Sequence, residues 1–401
     1  MAATVTTSGE TDPDDQTAAG YRKETVLVTL AEGVDGAAVA ASYNATVTRN
    51  GWRVAGLKPS YEETADDLLA KVAKDPRVLT AEKNAPVETA ESRQKSWAFD
   101  DGWGSPEACE SQPATTACNL QEAQIQSRGA GVKISVLDTG AELDHPWIRD
   151  RISGGWDFVD NDADPSEVAD GIDNDYDGDL DEGAGHGTHV AGLLKMVAPD
   201  AELAIVRVLD SEGRGDMLMV AQGIRWSVAN GAKVLNMSLG GTVKSPAVTM
   251  AMEEAVLAGV ICVAAAGNSG PTEVVEFPAN YHCVIGVAAL DEADQLASFS
   301  AHGTEIGICA PGVSIRSSFA GGGYAVWSGT SMAVPWVAGG AALVSSKYPE
   351  MSRNQVVGRL EETGRAIWRQ NPGLRSGLGG GALDLGAALG GAGGGRLGLR
   401  D

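Results

Sequence analysis

The sequence predicts an α/β protein: a three-layer α/β/α domain with a mainly parallel sheet, preceded by a small ferredoxin-like α+β domain. From residue 132 onward, short apolar runs rich in Val, Ile and Ala alternate with segments of helical periodicity. Such alternation is typical of parallel sheets that carry helices on both faces. The predicted strands are 132–138, 203–209, 233–239, 260–266 and 283–290, and the predicted helices are 186–197, 217–229, 246–258, 331–347 and 353–362.

A different pattern precedes this large domain. Residues 1–20 are rich in Thr, Asp and Ala, which predicts a disordered lead. Residues 21–90 carry strand, helix, strand, strand, helix and strand patterns in that order, with Asn50-Gly51 as the turn of a central hairpin. This β-α-β-β-α-β order predicts the small ferredoxin-like domain.

The composition excludes two broad classes of function. The 401 residues carry a net charge of −24, so no basic surface is expected to neutralise nucleic-acid phosphates. The longest apolar run, 255–266, contains Gly259 and is shorter than the roughly 18 residues that a membrane span needs. The polar, acidic start of the chain also lacks the apolar stretch of a signal peptide.

A linker and a tail flank the large domain, which is expected over 131–390. The polar linker, 91–130, ends in a helix near 119–128, and the tail, 391–401, is Gly-rich and expected to be flexible. Two cysteines of the linker bracket a Pro-containing segment, and their spacing is compatible with a disulfide or with two free thiols. The linker cysteines are Cys109 and Cys118, and the others, Cys262, Cys283 and Cys309, are expected to pack as small hydrophobic residues.

Four short motifs of the large domain supply the parts of an acyl-transfer site. They place Asp138 and Asn268 at the ends of strands, and His186 and Ser331 at the starts of helices. A serine hydroxyl needs a base within hydrogen-bond reach, and that base needs a group that orients it. The motifs are Val136-Leu137-Asp138-Thr139-Gly140, His186-Gly187-Thr188-His189-Val190-Ala191-Gly192, Ala264-Ala265-Ala266-Gly267-Asn268 and Gly329-Thr330-Ser331-Met332-Ala333.

On these motifs, and on their Asp…His…Ser order, the chain resembles the subtilisin family of serine endopeptidases. The resemblance extends over about 130–390. It implies that Ser331 is the nucleophile, that His186 is the general base, and that Asp138 orients and stabilises the imidazole. It also implies that Asn268 donates its side-chain amide to the oxyanion.

Each of these residues also has a structural explanation. Ser331 could cap its helix, and Asn268 could form a turn. Asp138 could cap the turn that follows its strand. His186 and His189 could bind a metal, although no Glu-containing zinc-protease motif accompanies them. The joint occurrence of all four motifs favours catalysis over the separate explanations.

The resemblance also implies where a substrate binds. One edge segment and one wall of the primary pocket would come from Ser238, Leu239 and Gly240, and the other wall would come from the Ala264–Gly267 run. The second edge segment would be Gly213-Arg214-Gly215. The small residues of both walls predict an open, apolar pocket, and pairing along the substrate backbone predicts broad specificity. The residues expected to bind substrate are Ser238, Leu239, Gly240, Gly213, Gly215, Ala266 and Gly267.

An acidic insertion precedes His186. Twelve acidic residues and no basic one lie between Asp157 and Glu182. Within it, aspartates occupy every second position with Gly178 in sixth place, as in the first half of a calcium loop, but the twelfth position is Ala184 instead of Glu. Calcium and a solvated acidic loop are both compatible with this pattern. The candidate ligands are Asp173, Asp175, Asp177, Asp179 and Asp181.

Together these observations predict a monomeric serine endopeptidase made as a self-processing zymogen, without a catalytic cofactor. The amino-terminal domain resembles the inhibitory propeptide of the family, so polypeptide substrates and the chain's own propeptide are the expected partners. The cut is expected within 88–100. The family resemblance favours an extracellular location. Two alternatives remain: a catalytically silent binding module on the same fold, and an esterase-type acyl hydrolase. In the esterase fold the serine precedes the histidine, which is the reverse of the order here.

Overall fold

The computed structural model describes residues 25–94, 96, 98–173, 178–272 and 274–390. The predicted disordered lead and Gly-rich tail therefore lie outside the described residues. Residues 25–83 form a four-stranded antiparallel sheet of order β2-β3-β1-β4 with two helices. A capping box between Thr64 and Asp67 starts the second helix. The elements are β1 (Val26–Leu30), α1 (Gly36–Ser42), β2 (Thr46–Gly51), β3 (Val54–Lys58), α2 (Ala65–Val72) and β4 (Val78–Lys83).

The two central strands of the amino-terminal sheet, β1 and β3, are buried on both faces. Val26 and Val28 of β1 belong to the domain's own core, whereas Leu27, between them, packs into the core of the large domain. Successive strand residues point to opposite faces, so the second face of the sheet is an interface. All five residues of β1 are buried because one face of the strand packs on the domain's own helices and the other packs on the large domain.

The segment after the small domain enters a cleft of the large one. We call residues 86–94 the cleft segment. Short helices then follow in the linker, where the sequence predicted only the last of them. These elements are β5 (Pro86–Glu88), α3 (Ala90–Gln94), α4 (Pro106–Glu110), α5 (Pro113–Ala117) and α6 (Leu120–Gln126).

The large domain is built on a seven-stranded, all-parallel sheet of order β13-β12-β11-β10-β6-β8-β7. This confirms the predicted fold class. Two parallel edge strands, β7 and β13, and a carboxyl-terminal hairpin, β14–β15, were not predicted. The strands are β6 (Lys133–Asp138), β7 (Ile152–Asp157), β8 (Glu202–Arg207), β9 (Arg214–Asp216), β10 (Val234–Met237), β11 (Ile261–Ala265), β12 (Val284–Leu290), β13 (Ile306–Pro311), β14 (Ile315–Phe319) and β15 (Gly323–Trp327).

Helices cover both faces of this sheet. Val136 of β6 packs with the helices that begin at His186 and Thr330. Its neighbour Leu137 packs on the opposite face with the helices that begin at Met217 and Pro246. No helix of the described residues is long and apolar enough to cross a membrane. The helices are α7 (His186–Val197), α8 (Met217–Ala229), α9 (Pro246–Leu257), α10 (Thr330–Lys347), α11 (Arg353–Glu362) and α12 (Leu385–Ala388).

Two polar side chains of the small domain cap helices of the large one. Glu82 accepts hydrogen bonds from the Ser245 hydroxyl at 2.8 Å and the Ala247 amide at 2.9 Å, at the start of α9. Asn84 Oδ1 accepts from the Leu218 amide at 3.2 Å, at the start of α8. Helix amino termini present unpaired N–H groups and partial positive charge, so these contacts fix the small domain beside the cleft.

All five cysteines are buried free thiols. The linker pair, Cys109 and Cys118, packs in the core beneath α7 and α10 without a disulfide, and burial raises the pKa of Cys109 to about 12. Their spacing was compatible with a disulfide or with two free thiols, and in the structure both are free thiols.

Candidate active site

A buried Asp–His pair lies at the carboxyl end of the central strand β6. The strand ends at Asp138, and α7 begins at His186 after Gly185, whose φ of 88° turns the chain. Both side chains are fully buried, and Nδ1 of His186 lies 2.6 Å from Oδ1 of Asp138. The Thr139 amide donates to the same oxygen at 2.8 Å, which fixes the carboxylate. The arrangement suits a general base held by an orienting carboxylate.

Aromatic packing holds the imidazole in place. The Trp327 ring meets His186 edge-on, with the ring centroids 5.2 Å apart. His189, on the same helix, contacts the same indole, and its Nε2 donates to the carbonyls of Ile315 at 3.2 Å and Ala325 at 3.3 Å. Burial, together with the charge of His186, lowers the pKa of His189 to about 3. His189 is therefore a neutral, structural side chain.

A second carboxylate lies behind the pair. Glu167, in the acidic insertion, accepts hydrogen bonds from the hydroxyls of Thr139 and Thr188, the latter at 2.6 Å. The Gly187 amide lies 3.3 Å from the same carboxylate. Thr139 directly follows the aspartate of the pair, and Gly187 and Thr188 directly follow the histidine. Glu167 therefore ties the two segments together, and burial raises its pKa.

Ser331 lies at the start of α10 beside two hydrogen-bond donors. Oδ1 of Asn268 accepts from the amide and the hydroxyl of Thr330, at 2.9 and 2.8 Å, so the Asn268 side-chain N–H₂ is directed into the site. A Cβ atom on Gly329 would lie 3.0 Å from that nitrogen, which explains the glycine. The Ser331 amide and the Asn268 amide are thus placed as an oxyanion hole would require.

The carboxylate of Glu91, in the cleft segment, fills this space. Its Oε1 lies 2.9 Å from Nδ2 of Asn268 and 3.4 Å from the Ser331 amide. Its Oε2 accepts from the Ser331 hydroxyl at 2.5 Å and lies 3.3 Å from Nε2 of His186. One oxygen therefore contacts the two amides, and the other contacts the Ser331 hydroxyl and the His186 imidazole. The carboxylic acid product of a hydrolysed acyl-enzyme would make the same contacts.

These contacts couple the charges of Glu91 and His186. Burial alone would raise the pKa of Glu91, but the hydrogen bond and charge of His186 outweigh it and hold that pKa below its usual value. Burial alone would lower the pKa of His186, but the carboxylates of Asp138 and Glu91 raise it to about 10. The raised pKa of His186 favours the protonated imidazole at neutral pH, and a protonated imidazole cannot accept a further proton.

The cleft segment pairs with one of the two edge segments expected to bind substrate. β5 runs antiparallel to β9, with Val87 opposite Gly215. The Thr89 amide then donates to the carbonyl of Gly213 at 2.9 Å. Backbone pairing of this kind is how an extended peptide adds a strand to an exposed edge.

The second predicted edge segment pairs with the opposite side of the same peptide. Glu88 and Gly240 exchange two backbone hydrogen bonds, at 3.0 and 2.9 Å. Ser238 supports the nucleophile, since its hydroxyl donates to the Ser331 carbonyl at 3.0 Å and its carbonyl lies 3.3 Å from Ser331 Oγ. The Leu239 side chain is buried in the same hydrophobic cluster as Val87 of the cleft segment.

The other wall of the primary pocket brings an unexpected carboxylate. Ala266 is fully buried, and its carbonyl accepts from the Glu276 amide at 2.9 Å. A Cβ atom on Gly267 or on Gly240 would lie 2.6 Å from atoms of the Glu276 side chain. Both walls are small, as predicted, but the prediction of an open, apolar pocket is wrong because Glu276 lies between them.

The structure describes only three of the five predicted calcium ligands, since Asp175 and Asp177 lie outside the described residues. Asp181 accepts from two backbone amides at the start of its loop, at 2.9 and 2.7 Å. Asp173 accepts from the Gly178 amide at 3.0 Å. Within the described part of the chain, no group of three or more His, Cys, Asp or Glu side chains could hold a metal ion. Calcium, with Asp179 as a further candidate ligand, stays a prediction.

The sequence did not predict three carboxylates of the site. Glu91 lay within the predicted cleavage region, but no local pattern distinguishes it from other linker acids. Glu167 belongs to an acidic run whose pattern indicates only a calcium loop or a solvated loop. Glu276 is the single acid in Val274-Val-Glu-Phe-Pro278, and an acid inside an apolar run is the signal that was available.

A family model and two curated relatives match this chain. The family model described as "Subtilase family" matches residues 129–381. A thermostable alkaline protease of Halalkalibacterium halodurans is 37% identical over 352 residues, which cover 85% of this chain and 86% of that protein. A subtilisin of Bacillus pumilus is 43% identical over 247 residues, or 59% of this chain and 84% of the relative.

A solved structure shares the fold. Fervidolysin from Fervidobacterium pennivorans, described as a keratinolytic enzyme related to subtilisin, superposes with a TM-score of 0.75 at 24% identity. The match covers 92% of this chain and 61% of the fervidolysin chain. Given the family match over most of the large domain and the identity to the alkaline protease, the chain belongs to the subtilase family of serine endopeptidases.

Proposed function

We propose that this subtilase is made as a self-processing zymogen, with Asp138, His186 and Ser331 as its triad and Asn268 in its oxyanion hole. The observation that carries the proposal is the position of the cleft segment. Its backbone pairs with both edge segments as a substrate would, and its Glu91 side chain contacts the nucleophile, the base and the oxyanion donors. The chain thus occupies its own substrate site.

The geometry supports acyl-enzyme chemistry. Ser331 Oγ attacks the scissile carbonyl while His186 Nε2 takes its proton, and Asp138 stabilises the imidazolium that forms. The Asn268 side chain and the Ser331 amide donate to the oxyanion of the tetrahedral intermediate. His186 then returns the proton to the leaving amine, and water hydrolyses the acyl-enzyme by the same steps. No cofactor is needed for these steps.

The register of the cleft segment supports a cut after Ala90. Thr89 is the last residue that pairs with an edge segment, and Glu91 is the residue whose side chain contacts Ser331. The peptide bond after Ala90 is therefore the one that this register brings to the nucleophile. Cleavage between Ala90 and Glu91 would release the amino-terminal domain, which the helix caps from Glu82 and Asn84 would still hold as an inhibitor.

Other features of the proposal rest on the family resemblance. An extracellular location and a monomeric state stay predictions. Backbone pairing depends little on side chains, so it supports broad specificity at the positions that pair with the edge segments, Val87, Glu88 and Thr89. Calcium binding by the acidic insertion would brace the segment before His186, and its candidate ligands are Asp173, Asp175, Asp177, Asp179 and Asp181.

A serine-directed fluorophosphonate tests the proposed nucleophile. We expect the processed wild-type enzyme to be labelled on Ser331 and to hydrolyse peptide anilides, and we expect Ser331→Ala to do neither. Ser346→Ala, on the same helix but with its hydroxyl on the Ala130 carbonyl, is the matched control and should behave as wild type. Hydrolysis of esters without hydrolysis of anilides would favour an esterase, and an unlabelled wild type would favour a silent module.

A further inference from the structure

We propose that Glu276 determines the primary specificity of this protease: its carboxylate forms the floor of the primary pocket and selects a basic side chain before the scissile bond. Acidic side chains would be repelled and aromatic ones excluded by the lack of space. The inference rests on the proposed function, because it needs the pocket that lies beside Ser331.

The backbone around Glu276 directs its side chain between the two pocket walls. Its own amide donates to Ala266 on one wall, and the next residue, Phe277, exchanges hydrogen bonds of 2.8 and 3.0 Å with Gly241 beside the other wall. The segment therefore bridges both walls. The side chain that leaves it at Glu276 is 4% exposed and enters the space between them.

The contacts of the carboxylate place it against glycines on both sides. A Cβ atom built on Gly240 would lie 2.6 Å from Oε2, and one built on Gly267 would lie 2.6 Å from Cδ and 2.7 Å from Oε1. The Ser269 hydroxyl donates to Oε1 at 3.2 Å. Both glycines flank the slot that an apolar substrate side chain would otherwise fill. Large rings are therefore excluded unless the carboxylate moves.

Charge gives the pocket its preference. A carboxylate in a site closed off from water interacts strongly with a cation and repels an anion, because the screening by water is reduced. A lysine or arginine side chain has an apolar stem that suits the small walls and a cationic end that can reach the floor. The chain's own residue at this position, Ala90, is small and leaves the carboxylate in place.

Five substrates test this inference directly. They are the anilides Val-Glu-Thr-X, whose first three residues copy Val87–Thr89 and whose X is Lys, Arg, Ala, Phe or Glu. For the processed wild-type enzyme we expect kcat/KM to fall in the order Lys or Arg, then Ala, then Phe and Glu. A wild-type preference for Phe over Lys would overturn the inference without any variant.

Two substitutions separate charge from size. Glu276→Gln keeps the shape and should reduce the Lys-to-Glu ratio of kcat/KM by about tenfold or more. Glu276→Ala should raise kcat/KM for Phe by about tenfold or more, because the slot opens. Glu202→Gln, on the surface at the start of β8, is the control.

The specificity role of Glu276 and the protease activity of Ser331 can fail separately. If the wild type is labelled on Ser331 but Glu276→Gln leaves the Lys-to-Glu ratio within about twofold, the specificity role of Glu276 is wrong and the proposed function stands. If the wild type cleaves none of the five anilides and is not labelled, both are wrong.

Discussion

Asp138→Asn is expected to lower the rate of self-processing and of peptide hydrolysis by about 10⁴-fold, the size of effect that the equivalent change has in a serine-protease triad. Oδ1 of Asp138 lies 2.6 Å from Nδ1 of His186 and also accepts the Thr139 amide. An asparagine whose Oδ1 kept both contacts would carry no charge to stabilise the imidazolium. One turned the other way would present its N–H₂ group to the imidazole, lose the Thr139 bond and favour the wrong tautomer of the base.

The first-order loss of the full-length chain, followed by intact mass, measures this effect. Asp150→Asn is a suitable control, because Asp150 is a half-exposed surface aspartate that pairs with Lys195. The control should process at the wild-type rate. If Asp138→Asn processes within tenfold of wild type, His186 does not depend on Asp138, and the assignment of the triad fails.

Glu91→Ala and Glu91→Gln are expected to speed self-processing at neutral pH by about tenfold or more, since lowering the pKa of a mostly protonated base by one unit raises its neutral fraction about tenfold. The Glu91 carboxylate contacts the Asn268 amide of the proposed oxyanion hole and, with Asp138, raises the pKa of His186. Removal of the charge takes away one of the two carboxylates that raise the pKa of His186, so a larger fraction of the imidazole is neutral and able to act as a base. Glu88→Gln, in the same segment but away from Ser331, is the matched control.

Self-processing is expected to depend on pH through the protonation of His186. The pKa of His186 is raised from 6.5 to about 10 in the intact chain, by Asp138 and Glu91, while His189 beside it is neutral. The stability that this protonation contributes is complete below pH 6.5 and is lost as the pH rises through about 10. Self-processing of the wild type should therefore accelerate as the pH rises over this window.

Glu91→Gln should shift that acceleration to lower pH. Rates at pH 6, 7, 8, 9 and 10 for the wild type, Glu91→Gln and the Glu88→Gln control provide the comparison. Identical profiles for the wild type and Glu91→Gln would show that Glu91 does not hold the site closed.

The parts of the site that the sequence predicted are those that local patterns encode. Asp138 ends an apolar strand and His186 follows a glycine at a helix start, so each motif lies within one element and its edge. The Gly213, Gly215 and Gly240 segments were also predicted, since the family resemblance covers them. The structure brings these segments together around the cleft segment.

The rest depends on contacts between distant segments. Glu91 reaches Ser331 across 240 positions, and nothing near either residue encodes that contact. Glu276 approaches Gly240 only because the intervening chain returns along the opposite pocket wall. The edge strands β7 and β13 were missed for a related reason: both contain glycine or polar residues and are only partly buried, so their local pattern is weak.

The most direct test of the central claim is the intact mass of the full-length wild type and of Ser331→Ala after purification. We expect the wild type to lose residues 1–90 and to begin at Glu91, while Ser331→Ala stays whole. A trace of processed wild type added to Ser331→Ala should cut it at the same bond. If both chains stay whole, or if Ser331→Ala is cut without added enzyme, the chain does not process itself through Ser331.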